Sequence, residues 1–251
     1  MTAVLTKPQN NAPKFNFKCG GSLIHLSVVL TAAHCVDSVS GRDLQIRAGE
    51  WNTQSNEELW KHQDRDVGEI VLHENYYRAA LHNDIALLIL NEPIELAPNI
   101  NVICLPPAFN NFDNERCLVS GWGKDNFGND GKYQAILKKV EVPIVPRLMC
   151  ERLLQNTRLG KFFQLHNSVL CAGGEYGKDA CKGDGGSPMV CQAPHFADQY
   201  FQVGIVSWGV GCKESSIPAA YVDVAQFRPW VDRQLVYRGF NTNYYNHNPV
   251  N

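Results

Sequence analysis

An all-β fold of the barrel or sandwich kind is what this sequence of 251 residues predicts. Short apolar or alternating runs recur along the chain, and Gly, Pro, Asn and Asp separate them at intervals suited to such folds. The cysteines are scattered through those runs rather than gathered in pairs. In order, "MTAVLTKPQNN" reads as a strand and a polar turn. "SLIHLSVVLTAAH", "DLQIRAGEW", "DVGEIVLH" and "DIALLIL" follow. The second half adds "CLVSGWG", "LKKVEVPIV" and "YFQVGIVSWG". Two helices interrupt the pattern. "PRLMCERLLQN" (146–156) opens on Pro146 and spaces Leu148, Met149, Leu153 and Leu154 helically. "AQFRPWVDRQLVY" (225–237) does the same with Phe227, Trp230, Val231 and Leu235. The Asn-rich end, 239–251, is aperiodic and predicts a flexible tail. A polar, Pro-rich stretch at 104–117 marks a midpoint, and repeats and linkers are lacking.

Composition excludes several classes. A formal net charge of −2 gives no general electrostatic case for nucleic acid or a membrane surface. No apolar run approaches the roughly 20 residues of a membrane helix. The nine cysteines form no CxxC pair and the eight histidines no HExxH, which argues against zinc-ribbon and thioredoxin-type sites. Scattered cysteines in a chain this long point instead to structural disulfides and a secreted, oxidising setting, with one cysteine left over. The N-terminus has no charged n-region, so it is no signal peptide. The expectation is that Met1 lies inside a longer natural chain or follows a truncated gene model; a cytosolic protein is the alternative. No Asn-x-Ser/Thr sequon occurs.

The remaining motifs concern nucleophilic chemistry. Such catalysis needs a hydroxyl that attacks, an imidazole that takes its proton, and a carboxylate that orients the imidazole. "CGGSLI" (19–24), "TAAHC" (31–35), "HNDIALL" (82–88), "CLVSGWG" (117–123), "CAGG" (171–174), "GDGGSP" (183–188) and "SWG" (207–209) succeed one another in the order found in chymotrypsin-like serine proteases. The chain resembles that family over residues 1–238. The resemblance implies two packed antiparallel β-barrels, split near 104–117, with a C-terminal helix. Through "RAGEW" (47–51), "HQDRDV" (62–67) and "GDGGSP" it is similar to arthropod clip-domain serine protease homologues, especially the prophenoloxidase-activating factor II group. Their clip domain and N-terminal activation strand have no counterpart in this sequence.

The resemblance implies roles residue by residue. His34 matches the general base and Asp84 its orienting acid. Gly185 falls where the family has its serine, so no attacking oxygen is expected there. Ser187 lies two residues on, about 6–7 Å along an extended chain, against the roughly 3 Å of proton transfer; it reads as a turn residue. Asp179, Ser207, Gly209 and Ala219 match the specificity pocket, which the Ala219 methyl would narrow. The amides of Gly183 and Gly185 match the oxyanion hole. Asp184 matches the acid that pairs with the amino group freed by activation cleavage. The implied disulfides are Cys19–Cys35, Cys117–Cys191, Cys150–Cys171 and Cys181–Cys212, with Cys104 unpaired here, at the family's tie to an upstream segment. Glu50, Asn52, Ser55 and Glu58 match a calcium loop, against the alternative of a solvated acidic loop. Arg147, Arg152, Arg158 and Lys161 read as an exposed helix face or a partner patch.

The function implied is that of a catalytically inactive, secreted haemolymph protein, a binding cofactor in the prophenoloxidase (melanisation) cascade. It requires no cofactor of its own, and calcium at that loop is an optional ion. The implied partners are processed prophenoloxidase and its activating clip-domain protease, with room for an oligomer. An active trypsin-like endopeptidase, and a pseudo-protease that binds another ligand such as a microbial surface component, are the alternatives.

Overall fold

The computed structural model describes residues 1–8, 16–55, 57–124, 133–176, 184–193, 199–210 and 216–246. Strands β1 (Thr2–Thr6), β2 (Asn16–His25), β3 (Val28–Thr31), β4 (Leu44–Ala48), β5 (Gln63–Leu72) and β6 (Ala86–Leu90) form one closed antiparallel barrel in the order β1-β2-β3-β6-β5-β4. A second closed barrel runs β10-β11-β12-β9-β8-β7. Its strands are β7 (Arg116–Gly121), β8 (Lys138–Val145), β9 (Val169–Gly173), β10 (Pro188–Gln192), β11 (Tyr200–Trp208) and β12 (Pro218–Asp223). Helix α1 (Arg147–Gln155) joins β8 to β9, and α2 (Val224–Tyr237) follows β12. The two-barrel expectation is therefore met.

Period-two patterning explains which faces point inward. In β4, Leu44, Ile46 and Ala48 are buried while Gln45 and Arg47 are only partly covered. In β8, Val142 and Ile144 enter the second core and Glu141 stays outside. Disulfides staple the barrels at Cys19–Cys35, Cys117–Cys191 and Cys150–Cys171. The pair expected between Cys181 and Cys212 lies outside the described residues. Cys104 carries a free thiol.

Helix α1 buries a different face from the one its sequence suggests. Cys150 and Leu154 are its buried residues, while Leu148 and Met149 face solvent. The Cys150–Cys171 bond pulls the 150/154 side onto β9 and turns 148 and 149 outward.

Helix α2 belongs by sequence to the second barrel but packs on the first. Phe227, Trp230, Val231 and Leu235 share one cluster with Ile24, Ile46 and Leu87. Pro229 inside α2 has no N–H to give to the Ala225 carbonyl. The amide of Phe109, in the linker between barrels, donates to that carbonyl at 3.0 Å, so the helix loses no partner there.

The expected flexible tail is corrected for residues 239–246. A short 3₁₀ turn, Thr242–Tyr245, follows α2, and Tyr245 is fully buried in the first core. Its hydroxyl donates to Asp232 at 2.7 Å, its carbonyl accepts from the Leu105 amide at 3.0 Å, and Arg228 lies 4.8 Å from its ring centroid. Phe240 and Tyr244 pack on His25. Aromatic burial outweighs the entropy of an otherwise polar segment. Residues 247–251 lie outside the described residues.

Candidate functional site

His34 sits in a short 3₁₀ turn, Ala33–Cys35, directly after β3, with Cys35 pinned to Cys19. Asp84 ends the loop that leads into β6. That loop is locally strained, with Leu81 and Asn83 at φ of 51° and 52°. The Asp84 side chain is wholly buried, and it accepts from the His34 backbone N–H at 2.8 Å and lies 2.7 Å from His34 Nδ1. Ser207 Oγ donates to the same carboxylate at 2.5 Å. Sequence reasoning gave Ser207 only to the specificity pocket. Its bond to Asp84 spans the two barrels, and no spacing in the sequence signals it. Burial, then the Asp84 charge, pushes the nearby Tyr76 phenol above its ordinary pKa. Tyr76 in turn donates to Asp37 at 3.1 Å.

The other side of the site is the loop from Asp184 to Pro188, whose glycines are held by main chain. The Gly185 carbonyl accepts from the Gly20 amide at 2.9 Å, and the Gly186 amide donates to the Val206 carbonyl at 2.9 Å. Gly186 has φ +77, and a Cβ there would lie 2.4 Å from Thr31 Oγ1 and 2.5 Å from the Gly20 carbonyl, so this position demands glycine. Position 185 faces the imidazole: a Cβ on Gly185 would fall 2.8 Å from His34 Nε2. The ring therefore stands in space that any side chain at 185 would need.

Ser187 is turned elsewhere. It is fully buried, and its hydroxyl packs so close to the Gly20 main chain that a Cβ on Gly20 would be 2.2 Å away. Among the described residues that hydroxyl has no hydrogen-bond partner. His34 Nε2 lies 3.6 Å from Cys35 Sγ.

Asp184 lies across Gly121 and Gly123, accepting from the Gly123 amide at 2.8 Å. A Cβ on Gly123 would come within 2.4 Å of its carboxyl carbon, so the "GWG" glycines make room for this side chain. Ala219 is buried in β12, opposite Ala172 of β9. Gly209 follows Trp208 at the end of β11. Asp179 and Gly183, expected in the specificity pocket and the oxyanion hole, lie outside the described residues.

The 50–62 loop brings Glu50, Glu58 and His62 together, with one ligand atom of each within 4.8 Å of the others. His62 was missed from sequence because it stands outside the expected motif. The fit to calcium is partial. Arg47 Nη1 is 3.2 Å from Glu50, and the same guanidinium makes two 2.8 Å bonds to Asp64. Glu58 Oε1 accepts the amides of Trp51 and Asn52, and the Asn52 carbonyl accepts the Ser55 amide at 3.0 Å. A protein cation thus already holds one carboxylate of this cluster, Glu50. Hydrogen bonding to Asp64 raises the Arg47 pKa further.

Known proteins resemble this chain over most of its length. A family model described as trypsin matches residues 4–231. Phenoloxidase-activating factor 2 of Galleria mellonella is 51% identical over 227 residues, covering 90% of this chain and 74% of that protein. Inactive CLIP domain-containing serine protease A28 of Anopheles gambiae is 39% identical over 241 residues, 96% of this chain and 62% of its own length. Inactive CLIP domain-containing serine protease A3 of Aedes aegypti is 45% identical over 216 residues, 84% and 44% respectively. The chain thus spans about half to three quarters of the length of these relatives.

Proposed function

Since the chain belongs to the trypsin family of serine proteases, we propose that it is a non-catalytic member that acts by binding. Its role on this reading is that of a secreted cofactor in prophenoloxidase activation. The observation that carries the first part is Gly185, with the His34 ring 2.8 Å from where its Cβ would be. Loss of a triad nucleophile costs on the order of 10⁶ in rate. An oxyanion hole alone leaves about 10³–10⁴ over water, too little for a working protease. Relatives named inactive support this part. The name of the Galleria mellonella relative supports the cascade.

The partners proposed are processed prophenoloxidase and its activating clip-domain protease, and the compartment is haemolymph. Calcium is proposed as an accessory ion at Glu50 and Glu58 that competes with Arg47. One observation favours the active endopeptidase instead: the His34–Asp84–Ser207 hydrogen bonding is that of a working general base.

Two measurements separate the readings. A fluorophosphonate probe is expected to leave the chain unlabelled. Stoichiometric labelling that vanishes in Ser187→Ala would restore the enzyme reading. For the cofactor role, dopamine oxidation is followed after prophenoloxidase has been processed and the protease inhibited. Added protein is expected to raise the rate. An unchanged rate, with no complex by size-exclusion chromatography, removes the cofactor role and leaves the non-catalytic assignment standing.

A further inference from the structure

A cavity of about 240 Å³ lies where the linker between the barrels, the start of α1, strand β9 and the start of α2 meet. Phe109, Phe112 and Asp113 line it from the linker, and Arg147, Asp223 and Gln226 from the helix starts. Phe112 is 9% exposed, whereas Phe109 is 73% exposed and open to solvent. The wall is held in shape without a ligand. The Phe109 amide is fastened to the Ala225 carbonyl of α2. Asn111 accepts the Asp113 amide at 2.7 Å and donates to the Asp113 carboxylate at 3.2 Å.

The charges around this cavity do not balance. Its cation, Arg147, donates to the carbonyls of Leu165, His166 and Val169. Its carboxylates are Asp223 and Asp113, and among the described residues neither is ion-paired. Asp113 stands exposed at the edge. Burial pushes the Asp223 carboxyl up to about 6, against the pull of the first amides of α2, Gln226 and Arg147. Two carboxylates thus share one guanidinium that is already committed to main chain.

The segment before β9 adds no charge. The Asp223 amide donates to the Ser168 carbonyl at 3.0 Å. His166 Nδ1 accepts the Ser168 amide at 3.2 Å, and a ring nitrogen that accepts from an amide carries no proton, so His166 is neutral. Its ring is stacked on His82 with centroids 3.9 Å apart. The Asn83 amide donates to the Ser168 hydroxyl at 3.0 Å, which ties this corner to the Asp84 loop.

We propose that this cavity takes one arginine side chain of a partner protein, its guanidinium paired with Asp223 and covered by Phe109. Volume selects the size: about 240 Å³ is below the roughly 300–1,000 Å³ of small-molecule sites and suits a single long side chain. Chemistry selects arginine, whose planar fork matches a carboxylate and stacks on an aromatic ring. The incoming charge supplies what the two carboxylates lack. The proposal rests on the binding reading above and adds a seat and a ligand chemistry to it. A bound cation favours the ionised carboxylate, so affinity falls as pH falls through about 6 and Asp223 takes up a proton.

The test titrates the intact, isotope-labelled chain with acetyl-Gly-Arg-Gly-amide, and with its neutral isostere carrying citrulline for arginine, by amide NMR. Saturable shifts are expected at the amides of 109–113 and 223–226, with affinity roughly tenfold weaker at about pH 5 than at about pH 7.5. Arginine is cationic at both, so the change belongs to the protein. Asp223→Asn keeps the shape of the side chain. It is expected to lose about tenfold in affinity at the higher pH and to remove the pH dependence. Phe109→Ala is expected to weaken binding about threefold at the higher pH. Equal binding of the citrulline peptide overturns the proposal, as do shifts confined to 207–209, which would place the peptide in the cleft. A pH dependence that survives in Asp223→Asn belongs to His166 and overturns it as well. A chain that raises dopamine oxidation but gives no saturable shift with the arginine peptide also overturns it, and leaves the cofactor reading intact.

Discussion

The two halves of the cleft are tied to the fold in different ways. On the first barrel, His34 and Asp84 belong to a side-chain network: one buried carboxylate takes the His34 amide, its Nδ1 and the Ser207 hydroxyl. On the second barrel, the glycines of the 184–188 loop are fixed through their main chain, Gly185 to Gly20 and Gly186 to Val206, beside the Asp184 carboxylate that takes the Gly123 amide. A side chain in the first half holds architecture, so replacing it disturbs the fold as well as any chemistry. A side chain at 185 holds nothing, and its absence leaves the loop in place. The difference accounts for a protease shape that persists around a missing hydroxyl.

The largest effect expected concerns that hydroxyl. The chain should hydrolyse Arg and Lys esters on the order of 10⁶-fold more slowly than an intact triad enzyme. Gly185→Ser should recover little, because its Cβ meets His34 Nε2 at 2.8 Å. A full burst with an active-site titrant in Gly185→Ser would show that the imidazole yields easily, and would erase the asymmetry.

Next comes Asp84→Ala, which strands the donors of His34 and Ser207 in a buried site. It should cost about 3–5 kcal/mol in urea unfolding. Gly185→Ala should cost less, about 1–3 kcal/mol, as an overpacking effect. If the two variants unfold at the same midpoint, the halves are equivalent after all.

A smaller effect tests how the second barrel supports the Asp84 loop through Ser168. Asp223 offers its amide to the Ser168 carbonyl, and burial pushes its carboxyl up to about 6, against the pull of the first amides of α2 and Arg147. Well below the ordinary value of 3.8 the carboxyl is neutral in folded and unfolded chains alike. As pH rises through about 6, ionising the folded form is penalised and stability is lost. Asp223→Asn should therefore gain up to about 3 kcal/mol above that range and nothing well below pH 4. A pH-independent gain would mean that the carboxyl is not desolvated.

The smallest effect lies at the 50–62 loop. Arg47→Gln removes the guanidinium between Asp64 and Glu50, and should cost about 1–2 kcal/mol in the absence of calcium. Calcium should then raise the melting temperature of the variant more than that of the unaltered chain. Identical melting curves in calcium and chelator for both proteins would dispose of the ion.

The sequence was informative wherever one residue type does a local job. Alternation gave the strands, and flanking motifs gave His34 and Asp84, whose side chains lie 2.7 Å apart. It was silent on contacts that join distant segments. Ser207 to Asp84, Arg47 to Asp64 and His82 on His166 depend on how loops meet, and pattern along a chain carries no such information. Helix α1 misled because a disulfide, and not hydrophobicity, selects its inner face. The segment after α2 misled because its asparagines hide three anchoring aromatics, Phe240, Tyr244 and Tyr245.

The docking of α2 and Tyr245 on the first barrel has a consequence for biogenesis. As the chain emerges during synthesis, all six strands of that barrel appear early, yet Phe227, Trp230, Leu235 and Tyr245 of its core come last. Until they arrive, the apolar ground beneath α2 is open to solvent, and the nascent barrel is exposed to aggregation. The second barrel must be made before the first is finished. For the two barrels, order of translation and order of completion are thus reversed, and a folding helper would be needed most by the barrel synthesised earlier of the two.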